Sequence, residues 1–264
     1  MLLYQTRPSN SAHVLRDQLG VRRVRDELTP ISRRRLARNR DGLILNWGNS
    51  QLPPWDVEGE KWINKPEAVA VAVSKFRSLA ALAEHDIPAV EVTRDHAVVQ
   101  GWHREGRASL LRRDGLSGGQ GIIEGPLYDP NIRPDQFWSK VFPKTHEFRI
   151  HVVKDKAIDF VEKKARAGVE VNRLIRSYDN GWVFAHDNLS VTPEDKEELE
   201  DMAIEAVMAL GLDFGAVDLL GILDKRTPRR LKKARVCEVN TAPGLENTKT
   251  IEAYVAAFRE IVNG

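Results

Sequence analysis

The chain carries a single cysteine, Cys237, so no disulfide framework can brace it, and a reducing compartment suits it. Long hydrophobic runs are missing too: no 18 consecutive apolar residues occur, which leaves no transmembrane helix to expect. The opening "MLLYQTRPSNSAHVL" lacks the basic start and apolar core of a secretory signal, and a cytoplasmic location is the expectation. Neither charge sign dominates. With 40 basic and 38 acidic residues the net charge is +2, so no global field attracts nucleic acid, which is not expected as a partner. Internal repeats and low-complexity tracts are absent. What remains is ordinary globular composition, 42% hydrophobic and 30% charged over 264 residues, enough for one large domain or two to three lobes.

The apolar periodicity supplies the elements. "MLLYQT" reads as a strand, "SNSAHVLRDQLG" as a helix capped by Ser9 or Asn10 and stopped by Gly20, and "DGLILNWG" as a second strand. "KPEAVAVAVSKFRSLAALAEHDIP" predicts one helix or two, followed by the strand "AVEVTRD". From Ala108 onward strands dominate, broken by one strong helix with Thr192 as N-cap, Pro193 at N1 and Gly211 as C-cap. A helix over "TIEAYVAAFREIVNG" closes the chain. Hairpins interspersed with helices indicate α+β or α/β lobes rather than one doubly wound sheet. The arginine-dense stretch Arg22–Arg40 reads first as a solvated helix face and linker, second as a patch for an anionic partner.

Three constellations carry chemistry. "RRDGLSGGQGII" sets Gly115, Ser117, Gly118, Gly119 and Gly121 between two strands, where glycine lets backbone N–H groups cradle a phosphate. No Gly-Lys-Ser/Thr follows and no helix comes next, so it is neither a Walker A loop nor a Rossmann fingerprint. A mobile hairpin turn is the competing reading. Lys75 and Arg112 are the cations that could meet phosphates there, with Arg113 competing with Arg112; Lys75 also reads as a surface lysine. In "KTHEFRIHVVKDKAIDFVEKK", Glu147, Arg149 and His151 share one strand face, and Lys163, Lys164 and Arg166 follow. Such a face can be solvent-exposed, or it can line a polyphosphate cleft. Finally, Asp218 interrupts an apolar strand, and Glu238 and Asn240 share a face of the next one. Carboxylate and carboxamide oxygens together suit Mg²⁺, and an acid in a buried strand is costly unless it is paired or bound to metal. Cys237 reads as core-directed rather than as a nucleophile.

Taken in chain order these pieces resemble the ATP-grasp superfamily, over Asn64 to Tyr254. The likeness extends to small phage-encoded ATP-grasp proteins and ribosomal S6–glutamate ligase-type enzymes. The resemblance implies two α+β lobes gripping ATP after a short half-Rossmann lobe, with segments 1–62, 63–136 and 137–264. It implies that Lys75 and Arg112 contact phosphates and that Ser117 to Gly121 form a lid. It further implies that Trp138 to Phe142 form the hinge beside adenine, with Lys140, Val141 and Phe142 binding the nucleotide, and that Glu147 contacts the ribose or the adenine side. Lys163 then reaches the nucleotide, and Asp218, Glu238 and Asn240 hold one or two Mg²⁺, with Mn²⁺ as an alternative. Arg149, Arg176 and Lys163 are the expected catalytic residues; His151 reads as a structural histidine before it reads as a base. The implied reaction is ATP-dependent carboxylate–amine (or thiol) ligation through an acylphosphate, with a small molecule, peptide or protein as acceptor, in the host cytoplasm if phage-encoded. A kinase acting on a hydroxyl and a nucleotide-dependent binding module are the alternatives. Replacing Asp218 and Glu238 is expected to abolish metal-dependent turnover and spare the fold.

Overall fold

The computed structural model describes residues 1–39, 42–55, 61–116, 119–124, 132–227, 229–245 and 247–263. Four short parallel strands open the chain: β1 (Leu2–Tyr4), β2 (Arg22–Val24), β3 (Leu43–Asn46) and β4 (Lys61–Ile63), in the order β2-β1-β3-β4. Their apolar residues are buried on both faces, as a parallel sheet requires. Leu3 and Leu45 pack with Ala12 and Leu15 of α1 (Asn10–Leu19), whereas Leu2, Tyr4 and Ile44 pack with Leu36 of α2 (Pro30–Arg38). Helix α1 starts where the Ser9 hydroxyl accepts from the Ala12 amide and stops at Gly20, whose φ of 68° is a left-handed conformation. The arginine run is therefore strand β2 plus helix α2, with Arg33, Arg34 and Arg38 exposed; Arg40 lies outside the described residues.

A second sheet is antiparallel, β5 (Val92–Thr93), β6 (Ser109–Arg113), β7 (Ile123–Glu124) and β8 (Gln136–Lys140), in the order β5-β8-β6-β7. Helix α5 (His96–Arg104) covers one face, packing Val99 and Trp102 against Leu111 and Trp138. The third and largest sheet is also antiparallel: β9 (His146–Val153), β10 (Lys156–Ala165), β11 (Trp182–Ala185), β12 (Phe214–Leu223) and β13 (Leu231–Asn240), ordered β11-β10-β9-β12-β13. Two helices, α4 (Lys75–Glu84) and α6 (Pro193–Ala209), lie under one of its faces. Leu79, Leu82, Leu199 and Val207 meet Phe148, Ile150, Val217 and Leu219 there. Each such side chain contributes about 1.5–3 kcal/mol by leaving water. A short α3 (Pro66–Ala72) precedes α4.

The terminal helix α7 (Thr248–Asn263) ties the first sheet to the third, because Tyr254 and Phe258 stack edge-on against Phe214 while Phe214 stacks on Trp47. Asn64 adds a polar pin: its side-chain oxygen accepts the amides of Asp213 at 2.7 Å and Phe214 at 3.0 Å. Strands β2 and β4 and helix α5 go beyond the elements read from sequence. Helix α5 contains two valines and a glycine, which are poor helix formers. Its Asp95 cap and the burial of Val99 and Trp102 carry it instead. Gly211, read as a C-cap, follows the capping residue Leu210 with φ 68°. Among the described residues no helix is long and apolar enough to cross a membrane.

Candidate active site

Alternation along the large sheet sorts its side chains. Phe148, Ile150 and Val152 of β9 enter the core, and Glu147, Arg149 and His151 take the opposite face. That face is not solvated: Glu147 is 5% and His151 2% exposed. Lys163 of β10, Asp218 of β12, and Glu238 and Asn240 of β13 share it. Opposite stand Leu110 and Arg112 of β6 and Ser139 of β8, and the space between is a cavity of about 620 Å³. The β12–β13 register, with Asp218 against Glu238 and Ala216 against Asn240, sets the three oxygen-bearing side chains together. Directly after that pair the register slips, so that Leu219 faces Val236 and Cys237 is the extra residue. The bulge turns Cys237 into the cavity wall as well as onto the core, which corrects the purely core-directed reading. Burial raises its thiol pKa.

Every carboxylate in the cavity has a cation of the chain beside it. Arg149 grips Asp218 with two bonds, Nε to Oδ1 at 2.6 Å and Nη2 to Oδ2 at 2.8 Å. Burial alone would raise the Asp218 carboxyl, but Arg149, then Lys163, outweighs it and holds the group at about 2. Glu147 accepts from Lys163 on one oxygen and from Lys144 on the other, the latter at 2.8 Å. Burial lowers the Lys163 ammonium, yet Asp218 and Glu147 prevail and keep it above its ordinary value. Glu238 meets the Lys75 ammonium at 2.8 Å.

Lys75 is fixed from its backbone outward. It is the first residue of α4, and Asp114 at the end of β6 accepts its amide at 2.7 Å and also takes the Ser74 hydroxyl. At 8% exposure it is not a surface lysine. It reaches the cavity through Glu238 and does not line it. Arg112 lines the cavity, while Arg113 turns outward to Asp135, which separates the two candidates. Lys140, Val141, Phe142, Glu147, Arg149, Lys163, Arg176, Asp218, Glu238, Asn240 and Gly119 all line it. Gly121 does not, and Ser117 and Gly118 lie outside the described residues. Gly119, at φ 82°, abuts Ile175, so that a Cβ there would collide with it.

Only one of the paired lysines points inward. Lys164 turns away to Glu162 and Ser190, both at 2.8 Å or less, as alternation on a strand demands, and Arg166 covers Tyr178. Arg176 lies flat on Trp182 and donates to the Thr145 carbonyl at 2.9 Å. His151 contacts the Tyr254 hydroxyl at 3.2 Å. Burial, reinforced by Arg149, lowers it to about 4, so it is neutral at pH 7. Among the cavity residues that the sequence reading did not single out are Lys144, Phe184, His186 and Thr250. Lys144 had a signal, since it stands three residues before Glu147. Phe184, half-exposed under the Arg149 guanidinium, had none.

Neither a family model nor a curated protein matches the sequence. Solved structures do. D-alanine–D-alanine ligase from Bacillus anthracis complexed with ATP superposes with a TM-score of 0.66, covering 99% of this chain and 94% of its own at 12% identity. Carboxyaminoimidazole ribonucleotide synthase from Aspergillus clavatus complexed with ATP gives 0.68, covering 99% and 76% at 16% identity. The ATP-grasp ligase PsnB complexed with minimal precursor, Mg and ADP gives 0.64, covering 97% and 96% at 13% identity. At these identities the likeness is one of architecture, and the chain has the ATP-grasp fold.

Proposed function

We propose that this chain is an ATP-dependent ligase that joins a carboxylate to an amine (or thiol) through an acylphosphate, converting Mg-ATP to ADP and phosphate. The charge inventory of the cavity carries the reading. Six cationic side chains (Arg112, Lys140, Lys144, Arg149, Lys163 and Arg176) and three carboxylates (Glu147, Asp218 and Glu238) line it among the described residues. A surplus of three positive charges in one cleft suits a triphosphate arriving with a divalent cation.

The donor set fits that cation. Two carboxylates and a carboxamide are the hard oxygen ligands Mg²⁺ prefers, and among the described residues the Asn240 side chain makes one long bond, through its nitrogen to the Ala216 carbonyl at 3.5 Å. Asp218, Glu238 and Asn240 would hold the metal, which supplies charge neutralisation on the phosphates when bound. Lys140–Phe142, with Val90, Leu110 and Leu220 beside them, form the apolar end for a base, and Glu147 the ribose contact. Arg112, Lys144 and Lys163 meet phosphates; Arg149 and Arg176 face the transferred phosphoryl group. Lys75 acts through Glu238. Phosphoryl transfer asks for positioning and charge rather than a protein nucleophile, so Cys237 has no role. A substrate carboxylate oxygen attacks the terminal phosphorus as ADP leaves, and an amine then displaces phosphate from the acyl carbon.

The test is hydroxylamine trapping with ATP, Mg²⁺ and a panel of carboxylates, including amino acids and peptides. Hydroxamate and ADP in equal amounts support the ligase. A phosphorylated alcohol without hydroxamate would assign a kinase instead.

A further inference from the structure

At the His151 end of the large sheet the cavity is lined by side chains that the proposed nucleotide contacts leave unused. Three cross-strand rows run along β9 and β12: Glu147 with Leu220, Arg149 with Asp218, and His151 with Ala216. The first row lies at the proposed nucleotide end, the second continues to Glu238 and the third to Asn240, so the proposed metal ligands span the second and third rows and His151 stands at the end of the face farthest from the nucleotide. Across from His151 stands Asp159 of β10. One of its oxygens accepts the Phe160 amide at 3.0 Å; the other accepts the Thr250 hydroxyl and lies 3.0 Å from His186 Nε2. A carboxylate only accepts, so Nε2 of His186 carries the hydrogen, and in the neutral imidazole the lone pair then lies on Nδ1. Nδ1 has no hydrogen bond among the described residues, and both His186 and Thr250 line the cavity. His151 is the poorer base, for it is bonded to Tyr254 and sits beside the Arg149 guanidinium.

We infer that His186 takes the proton an acceptor amine sheds as it attacks the acylphosphate, with Asp159 and Thr250 as positioning residues; this rests on the ligase reading. The C–N bond forms as the bond from acyl carbon to phosphate oxygen breaks. Phosphate leaves with that electron pair, and the proton passes from the amine nitrogen to Nδ1 and then to water.

The experiment compares two small acceptors, hydroxylamine and ammonia, with ATP, Mg²⁺ and whichever panel carboxylate gives most hydroxamate. Both acceptors shed a proton on attack, but hydroxylamine is an α-nucleophile that attacks acylphosphates readily without help, whereas ammonia is a weaker nucleophile and mostly ammonium at neutral pH, so the second depends far more on a base. In His186→Gln, amide formation from ammonia should fall about a hundredfold and hydroxamate formation far less. Asp159→Asn should shift the ratio in the same direction by a smaller factor. Calorimetric binding of Mg-ADP at the parental affinity certifies each variant as folded, and His186→Asn replaces the Gln variant if that control fails. Equal losses with both acceptors, no loss with ammonia, or a parent that makes hydroxamate but never amide would each overturn the inference. A parent that makes no hydroxamate from any carboxylate would instead sink the ligase reading itself.

Discussion

Removing the Asp218 carboxylate tests the centre of the site and also its fold. The sequence suggested a strand-end position where replacement spares the fold. Asp218 is instead the fifth of ten residues in β12, 6% exposed and gripped by Arg149. Two magnitudes bear on Asp218→Ala. A carboxyl held at about 2 rather than 3.8 contributes about 2.5 kcal/mol to folding at neutral pH. Stranding the partner of a buried pair costs about 3–5 kcal/mol. The second is the better guide, because Arg149 stays buried after the change, and the remaining carboxylates near it, Glu238 and Glu147, are each already paired with a lysine. On a typical stability of about 5–15 kcal/mol that is a large fraction, and it corresponds to a fall in Tm of roughly 6–20 °C.

Urea unfolding of the parent, Asp218→Ala, Arg149→Met and the double variant closes the cycle. The double variant should recover at least half of the loss, since it buries no unpaired charge. A single variant within about 1 kcal/mol of the parent would refute the claim that the ion pair is structural. Turnover measured on Asp218→Ala then has to be corrected for the folded fraction before it says anything about metal.

Three further outcomes are expected. His151 is held near 4 when folded against about 6.5 when unfolded, so its contribution is complete above pH 6.5 and is lost as pH falls toward 4. The slope is about 1.4 kcal/mol per pH unit; urea midpoints against pH should show it, and His151→Gln should flatten it by one proton's worth. ADP affinity by calorimetry should rise about tenfold to a hundredfold when Mg²⁺ is present, and an affinity indifferent to Mg²⁺ would remove Asp218, Glu238 and Asn240 from the metal assignment. Neutralising Arg33, Arg34 and Arg35 to Gln should leave Mg-ADP affinity unchanged and stability within about 0.5 kcal/mol. Loss of nucleotide binding in that variant would move the nucleotide to the first sheet.

Polarity against pattern was what the sequence made legible. Asp218 stood out because a strand of alanine, valine and leucine has no use for a lone acid, and the i, i+2 spacing of Glu238 and Asn240 put both on one face. Their closeness was also legible, since the two strands are consecutive, but their register was not, because two slips lie between the connecting turn and that pair. Less was visible where a partner comes from a distant segment. Nothing local tells Lys75 in an alanine-rich helix that Glu238 will lie 2.8 Å away, or tells Asp159 that His186 and Thr250 will converge on it. The bulge at Cys237 was likewise hidden, because a slip of one residue depends on the neighbouring strand. Helix α5 was missed for the opposite reason: its residues disfavour a helix, and burial overrides them.

The pairing pattern also explains how so polar a sheet face can fold before any ligand arrives. A bare carboxylate at 5–6% exposure, as at Glu147 and Asp218, would be expensive to bury, and here each has a cation from another strand or turn. Glu238 takes its cation from helix α4, so the same contact that neutralises it also holds α4 against β13. These pairs occupy the groups that a nucleotide and its metal would use. The cations can turn to phosphate only if the carboxylates find another positive partner, which under the proposed function would be the metal. An anion entering alone would strand Asp218 and Glu238, and a divalent cation entering alone would strand Arg149 and Lys75. Each ligand therefore relieves the electrostatic cost of the other, which is the physical ground for expecting Mg²⁺ and nucleotide to bind together.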